Sequence, residues 1–378
     1  MRKGIVMGIL MAATGYGAGL RITDPPDGAI LNRHDGEKAP AGMWITVRGE
    51  GAGPVRVNGA PATSAGGKWE ARVLLQAPEN RITAESGPAK DAITVLWDRD
   101  SFPRYRVSTD DNIWFLRDIA RQGYASIFDN PYLGFWREMH RKYGTKVHFN
   151  IYYETGGFNL SQMPDRYRGE WRKNADWIRL TFHARANDPD KPYLNAPAEQ
   201  VIRDYRLITR EIERFAGKEL LSNVTTVHWG EATREACAAL RKEGIKVLVG
   251  YFEFNRDGSP VVSYYLPAAQ ARYLSGRDYW KDTSLDLMFV RHDMVMNLFK
   301  PGAIVPRLEK IAADPHQAEV MELMIHEQYF YPDYKAYEPD YKERVETGIR
   351  WVTEKGYKPV FYGDGFLGTG GAGTANRP

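Results

Sequence analysis

The segment YRVSTDDNIWFLRD, residues 105–118, decides the fold prediction. Its first half is a β-prone run, which ends at two adjacent carboxylates, Asp110 and Asp111, and a helical pattern follows at once. Neighbouring carboxylates repel each other, so a pair at the end of a buried strand needs an explanation. Either one aspartate caps the next helix, or both serve a site at the strand end.

The same strand–helix unit recurs along the rest of the chain. In one helical segment, Asn130 is placed to act as the N-cap, Pro131 takes the first helical position, and Gly144 ends the run. Repetition of this unit predicts an α/β fold, a (β/α) barrel that is either complete or incomplete, over residues 103–378. We expect this barrel to be the catalytic domain.

The region before the predicted barrel has a different sequence pattern. Residues 21–98 alternate short β-like runs with turns, among them the tight-turn pair Asn58-Gly59. This spacing predicts a small all-β domain, an immunoglobulin-like sandwich that acts as an accessory domain.

The N-terminal residues predict export. Residues 1–19 begin with basic side chains, continue with a short apolar run and end with small residues, which is the layout of a signal peptide. The run is too short to span a bilayer, and no later stretch is long and apolar enough to do so. We therefore expect a secreted or periplasmic protein that does not span the membrane.

Composition excludes several classes of partner and site. The chain has 51 Lys and Arg against 48 Asp and Glu, a formal charge of +3, and no basic run interleaved with aromatic residues, so nucleic acid is not expected as a partner. Cys237 is the single cysteine, which rules out an intramolecular disulfide and a cysteine-based zinc cage.

Polar residues accumulate where the predicted strands end. Barrel enzymes build their sites at the carboxyl ends of the strands, so these residues are expected to converge on one mouth. Histidine and aspartate together suit a divalent cation. The strand ends carry Asp110, Asp111, Glu154, His183, His228, His292, Asp293, His326 and Glu327.

The order of these motifs resembles the NodB-homology polysaccharide deacetylases of carbohydrate esterase family 4, in the glycoside hydrolase/deacetylase barrel superfamily. STDDN is similar to the first family motif, which implies that Asp110 is the general base and Asp111 a metal ligand. TFHARAN is similar to the second motif, which implies that His183 is a metal ligand. The second histidine of that motif is replaced here by Asn187, which would be a weaker, neutral third ligand, unless His292 or Asp293 joins as a further ligand.

Two later motifs extend the resemblance. TTVHWGEAT takes the place of the third motif, with Trp229 and Gly230 matching but without its arginine and proline. ELMIHEQ is similar to the last motif, which implies that His326 is the general acid. The remaining polar positions in the predicted mouth are expected to bind substrate, namely Glu154, Arg185, His228, Trp229 and His292.

The resemblance implies a metal-dependent hydrolase, with a divalent ion such as zinc, that removes an acetyl group from a polysaccharide or oligosaccharide. Two alternatives stay open. A glycoside hydrolase or lyase on the same barrel would need a second acid opposite Asp110, and Glu154, Glu231 or Glu327 could supply it. A metal-free glycan-binding relative is the other alternative, and Asn187 is its main evidence.

Overall fold

The computed structural model describes residues 19–364. Within these limits the chain forms two compact units, one of residues 19–27 and 36–95, the other of residues 28–35 and 96–364. Except for Gly19, the predicted signal peptide lies outside the described residues, as does the end of the predicted barrel domain, residues 365–378.

The first unit is built from short strands. Most of its pairs, including β4 with β8, are antiparallel, and its two sheets have the orders β1-β4-β8-β7, with β3 on β4, and β10-β9-β5-β6. Asn58 and Gly59 both have positive φ and form the predicted turn between β5 and β6. The immunoglobulin-like assignment stays a prediction. The strands up to residue 97, of which β2 belongs to the second unit, are β1 (Arg21–Asp24), β2 (Ile30–Leu31), β3 (Glu37–Ala39), β4 (Gly42–Glu50), β5 (Arg56–Val57), β6 (Ala60–Pro61), β7 (Thr63–Ala65), β8 (Lys68–Leu75), β9 (Glu79–Ser86) and β10 (Ala89–Trp97).

The second unit contains two largely parallel sheets and a small hairpin. One sheet has the order β15-β12-β11-β21-β20, with β22 also paired to β11, and the other has the order β16-β17-β19-β18. Its strands are β11 (Arg104–Asn112), β12 (Val147–Tyr152), β13 (Glu154–Thr155), β14 (Phe158–Asn159), β15 (Ile178–Ala184), β16 (Val224–Thr225), β17 (Val247–Gly250), β18 (Tyr279–Asp282), β19 (Leu287–Arg291), β20 (Met294–Val295), β21 (Val320–His326) and β22 (Lys358–Pro359).

Eight α-helices connect these strands in the described part of the chain. Asn130 caps α2 by accepting hydrogen bonds from two backbone N–H groups, and Gly144 ends it in the left-handed conformation, as the sequence predicts. No helix among the described residues is both long and apolar enough to cross a membrane. The helices are α1 (Trp114–Gln122), α2 (Pro131–Tyr143), α3 (Arg168–Lys173), α4 (Ala198–Phe215), α5 (Arg234–Lys242), α6 (Ala268–Ser275), α7 (Pro301–Ala312) and α8 (Tyr341–Glu354).

Strand β11 is buried along its whole length, and its two faces differ. Tyr105 and Val107 join the apolar core under the helices. The alternate residues are polar, and Arg106 and Ser108 both donate hydrogen bonds to the buried Glu322 on β21. The parallel register places Asp110 opposite His326, so the polar face ends in two ionisable groups on adjacent strands.

The predicted mixed α/β fold is confirmed for the second unit. Strands β11, β12, β15 and β21 pair in parallel, and helices follow most of them. That the two sheets close into one barrel stays a prediction.

Candidate active site

The carboxyl ends of β11, β15 and β21 open on a cavity of about 570 Å³. Of the predicted site residues, Glu154 and Arg185 lie outside its lining and form a hydrogen bond with each other, 2.9 Å between Arg185 Nε and Glu154 Oε1. All the others line the cavity, namely Asp110, Asp111, His183, Asn187, His228, Trp229, His292 and His326.

A bulge at the end of β11 brings both aspartates to this cavity. Successive side chains of a regular strand point to opposite faces, so Asp110 and Asp111 would otherwise point apart. The pairing of β11 with β12 shifts register between Thr109 and Asn112, and Asp111 has a φ of 64°. Aspartate tolerates this left-handed conformation better than most residues. The bulge therefore explains how two adjacent carboxylates share one site.

Two side chains hold the bulge in place. Buried Asn112 donates hydrogen bonds to the carbonyl oxygens of Thr109 and Asn150, at 2.6 and 2.9 Å. Glu327 accepts hydrogen bonds from the first three N–H groups of the α1 end, those of Ile113, Trp114 and Phe115, at 2.6–2.9 Å. The alternative that an aspartate caps α1 is therefore wrong, because Glu327, which directly follows β21, does so.

Asp111, His183 and His228 form a compact triangle of donor atoms. His183 Nε2 lies 3.1 Å from Asp111 Oδ1, His228 Nδ1 lies 3.2 Å from His183 Nε2, and His228 Nδ1 lies 3.5 Å from Asp111 Oδ1. All three residues are buried. A tetrahedral zinc site with bonds of about 2.0–2.1 Å has edges of roughly 3.3 Å, which matches this triangle.

The hydrogen bonds of both histidines direct an unprotonated nitrogen into the triangle. The other ring nitrogen of His183, Nδ1, lies 2.5 Å from the Thr226 carbonyl oxygen, and His228 Nε2 lies 3.2 Å from the Asn187 carbonyl oxygen. Each of these nitrogens must carry a proton to donate to a carbonyl. Two lone pairs and a carboxylate then face one point, an arrangement typical of metal-ligating histidines.

Burial and neighbouring charged groups shift the pKa values of all three residues of the triangle. Burial opposes ionisation of Asp111, but the hydrogen bond with His183 and the nearby imidazoles hold the Asp111 pKa well below its usual range. Burial, assisted by His183, lowers the pKa of His228 to about 4. Burial also disfavours the charged form of His183, but Asp110 and Asp111 outweigh it and raise the His183 pKa. Asp111 is therefore held as a carboxylate, whose negative charge favours a cation beside it.

The donor set fits a divalent ion, but with a different third member from the predicted one. The sequence assigns Asn187 to the metal and His228 to the substrate. In the structure, His228 completes the triangle, while the Asn187 side-chain oxygen accepts a hydrogen bond from Gln328 Nε2 at 3.0 Å. The contribution of Asn187 to the triangle is its backbone carbonyl, which orients His228.

The predicted base and acid are each held by an asparagine. Asn150 Nδ2 donates to Asp110 Oδ1 at 2.5 Å, which leaves the second carboxylate oxygen for another partner. His326 Nδ1 lies 2.9 Å from Asn297 Oδ1, so this nitrogen donates and Nε2 is left for the cavity. Sequence reasoning missed both asparagines, although Asn150 belongs to a detectable signal, the alternation of His148, Asn150 and Tyr152 along β12.

Two further polar groups stand beside the triangle. The Tyr152 hydroxyl is buried and donates to Asp111 Oδ1 at 2.5 Å, a contact that helps to fix the carboxylate. His292 lines the cavity, and neither of its ring nitrogens has a hydrogen-bond partner among the described residues. Its nearest carboxylate oxygen is Glu322 Oε1, at 3.6 Å.

Comparisons with known proteins find matches only among solved structures. No family model matches the chain, and no curated protein matches it. The matched structures include a CE4 family pseudoenzyme, a CE4 esterase and a peptidoglycan N-acetylglucosamine deacetylase.

Three of the matched structures illustrate the range of sequence identity, TM-score and coverage. A CE4 family pseudoenzyme from Bacillus anthracis is 10% identical with a TM-score of 0.32, and the match covers 68% of this chain and 63% of that one. A CE4 esterase from Streptococcus mutans is 9% identical with a TM-score of 0.36, covering 68% and 85%. A 4-alpha-glucanotransferase from Thermococcus litoralis is 15% identical with a TM-score of 0.44, covering 69% and 39%. The function proposed below therefore rests on the geometry of the site.

Proposed function

We propose that the protein is a metal-dependent hydrolase that removes acetyl groups from a polysaccharide or oligosaccharide. The observation that carries this proposal is the Asp111–His183–His228 triangle next to Asp110 and His326, which stand opposite each other on adjacent strands. A metal-binding triangle, a base and an acid in one cavity are the parts that hydrolysis of an amide or ester needs.

Zinc is the ion that the donor set favours. Two imidazole nitrogens and one carboxylate oxygen are common zinc ligands, and three protein ligands leave a coordination position open for catalysis. A bound divalent ion would act as a Lewis acid towards the acetyl carbonyl oxygen. Asp111, His183 and His228 would hold it.

The proton transfers fall to Asp110 and His326. Because Asn150 holds Asp110 Oδ1, the other carboxylate oxygen can accept the proton of the attacking water. His326 keeps a proton on Nδ1, which donates to Asn297, and delivers a second one from Nε2 to the departing sugar nitrogen or oxygen. The products are acetate and a glycan with a free amine or hydroxyl group.

The geometry favours this function over the two alternatives. For glycosidase or lyase chemistry the candidate second acids are engaged elsewhere, since Glu154 pairs with Arg185, Glu231 lies 3.7 Å from Lys191, and Glu327 caps α1. None of these three glutamates lines the cavity. The metal-free alternative rested on Asn187, and His228 supplies a third donor without it.

We further propose three features that the sequence predicts: an incomplete barrel, an accessory domain and export. An incomplete barrel is supported by two backbone hydrogen bonds near the ends of the second sheet's strands. Ser222 N, just before β16, donates to Leu180 O of β15, and Asp293 N, just after β19, donates to Glu322 O of β21. The first unit would be an immunoglobulin-like accessory domain. Export would remove residues 1–19, and detection of Met1 in the mature protein by mass spectrometry would contradict it.

Elemental analysis combined with an acetate-release assay tests the function. The purified protein should contain stoichiometric divalent metal and release acetate from at least one member of a panel of N-acetylated and O-acetylated glycans. A chelator should abolish the release, and added zinc should restore it. Glycan cleavage that is indifferent to chelators would instead support the glycosidase or lyase alternative. Glycan binding with neither metal nor turnover would support the binding protein.

A further inference from the structure

Two buried polar side chains that line the site cavity have no hydrogen-bond partner among the described residues. They are the Thr226 hydroxyl and the His292 imidazole, with exposed fractions of 4% and 1%. A buried polar group without a partner is costly, so native proteins retain one mainly where a ligand or a water completes its bonding. Both groups therefore point to a polar partner that enters the cavity.

The backbone of Thr226 joins the metal triangle to the predicted base. Its carbonyl oxygen lies 2.5 Å from Nδ1 of the metal ligand His183. Its N–H group donates to Asn150 Oδ1 at 3.3 Å, and the amide of the same Asn150 holds Asp110. Both backbone groups of Thr226 are therefore engaged in the site, and only its hydroxyl is left for the cavity.

The preceding residue, Thr225, shows that this arrangement is specific to one position. Thr225 is also buried, but its hydroxyl donates a hydrogen bond to the Phe182 carbonyl oxygen on β15. Successive side chains at a strand end point to opposite faces, so Thr225 turns to the neighbouring strand and Thr226 turns to the cavity. Two adjacent threonines thus have the same chemistry but different surroundings, one paired and one unpaired.

The unpaired hydroxyl stands where the attacking water is expected. Asp110 can accept a proton through the carboxylate oxygen that Asn150 leaves free, so the water must lie beside Asp110 and face the metal triangle. Thr226 contacts Asn150 on one side and His183 on the other, which places its hydroxyl next to that position. His292 follows β19, two strands away from β16 in the second sheet, and serves a different point of the cavity.

We propose that Thr226 is a catalytic residue whose hydroxyl oxygen accepts a hydrogen bond from the attacking water. The inference rests on the proposed function and adds a residue to it. One hydrogen of the water passes to Asp110 as the water oxygen bonds to the acetyl carbon. The other hydrogen points at Thr226 Oγ1, which directs a lone pair of the water towards that carbon.

The hydroxyl exchanges no proton in this step. The second hydrogen stays on the water oxygen and leaves with acetic acid when the bond from the acetyl carbon to the sugar nitrogen or oxygen breaks. The acid then ionises in solvent. The role of Thr226 is therefore to orient the water, and any side chain that keeps the hydroxyl should keep the role.

Thr226→Val tests this proposal, because valine has the shape of threonine but no hydroxyl. On the acetylated glycan that wild type hydrolyses fastest, kcat should fall by roughly tenfold, with KM and bound metal unchanged. Thr226→Ser keeps a hydroxyl and should recover most of the rate. The midpoint of denaturant unfolding should rise in Thr226→Val, since the folded state no longer buries an unpaired hydroxyl.

The same substitution at the adjacent position is the matched control. Thr225→Val leaves the Phe182 carbonyl without its donor, so the unfolding midpoint should fall while kcat stays unchanged. The two valine variants should therefore show opposite patterns, one losing rate and the other losing stability.

Four outcomes would overturn the role of Thr226. Wild-type rates in Thr226→Val, or no recovery in Thr226→Ser, would do so and leave the deacetylase standing. A higher KM at constant kcat would assign the hydroxyl to the sugar, and loss of metal would assign it to the support of His183. Release of acetate from no member of the N-acetylated and O-acetylated panel by wild type would overturn both this inference and the proposed function.

Discussion

Asp110 and Asp111 are neighbours in the chain, but their side chains have different partners. Asp111 faces two imidazoles, whereas Asp110 is held by the amide of Asn150 and stands opposite His326. We expect Asp111→Ala to lose both bound metal and acetate release. Asp110→Ala should keep its metal and lose activity by roughly a hundredfold or more, the usual contribution of a general base. Elemental analysis and turnover of the two variants check this, and equal metal loss in both would contradict the division of roles.

The third ligand position gives a sharper contrast. Because His228 Nδ1 lies in the triangle and Asn187 contributes only its backbone carbonyl, His228→Ala should bind zinc at least tenfold more weakly. Asn187→Ala preserves the carbonyl and should change zinc affinity by only a small factor. Competition with a zinc-sensitive dye measures both. A large loss in Asn187→Ala with little loss in His228→Ala would restore Asn187 as the third ligand.

The different roles of His228 and Asn187 show how much of the site could be predicted from the sequence. Asp111 and His183 could be predicted from the sequence because they end apolar strand patterns whose order resembles that of a known family. The role of His228 depends on the direction of its ring, which is set by the Asn187 carbonyl, 41 positions earlier in the chain, and by the left-handed turn at Trp229. Neither contact leaves a periodic pattern in the sequence.

At the scale of elements, helix α1 depends on a cap from a different strand. Ile113 occupies the N-cap position without a side-chain hydrogen bond. Glu327, in the segment after β21, instead accepts hydrogen bonds from the first N–H groups of the helix. Glu327→Ala should lower the free energy of unfolding by roughly 2–4 kcal/mol, because it leaves several buried donors unpaired. Chemical denaturation measures this. Glu343→Ala, at an exposed position in the first turn of α8, is the matched control.

The same carboxyl group should make stability depend on pH. Burial raises the pKa of Glu327 to about 7 against the opposing effect of its N–H donors, so the folded state holds this proton more tightly than the unfolded state. Its stabilising contribution is therefore complete below about pH 4.5 and is lost as the pH rises through 7. Across this range wild type should lose up to about 3 kcal/mol relative to Glu327→Gln. Parallel unfolding curves of the two proteins from pH 5 to 8 would contradict this.

Sequence patterns predicted the elements themselves better than their connections. The capping residues of α2 lie next to the helix in the chain, so Asn130 and Gly144 were readable. The cap of α1 lies more than two hundred residues away, in Glu327, and the bulge at Asp111 is held by Asn112 and the neighbouring strand. Such contacts join residues that are far apart in the chain, so local sequence patterns do not predict them.

At the scale of the whole second unit, the sheet β15-β12-β11-β21-β20 carries buried charged side chains at its centre. Glu322 is fully buried and accepts hydrogen bonds from Arg106, Ser108 and Tyr362. Glu322→Ala should lower the free energy of unfolding by roughly 3–5 kcal/mol, because Arg106 would remain charged and buried without a carboxylate partner. Denaturant unfolding of the purified variant measures this change.

An exposed ion pair of the same unit provides the control. Glu243 and Arg206 are 2.5 Å apart, with exposed side-chain fractions of 24% and 67%. Glu243→Ala should cost less than about 1 kcal/mol. The double variant Arg106→Met with Glu322→Leu should recover much of the loss, and failure of Glu322→Ala to exceed the control would show that the buried charges are not paired as described.

The metal triangle also bears on how long the folded protein survives. Its three donors come from β11, from β15 and from the turn after β16 in the second sheet, and 72 and 45 residues separate them along the chain. An ion held there would tie together segments that are distant in the chain, and such non-local contacts are expected to form late in folding. Contacts of that kind slow unfolding without accelerating folding. Chelation should therefore shorten the lifetime of the folded protein at a denaturing temperature and leave its refolding rate nearly unchanged. Metal supply would then control the lifetime of the folded protein as well as its activity.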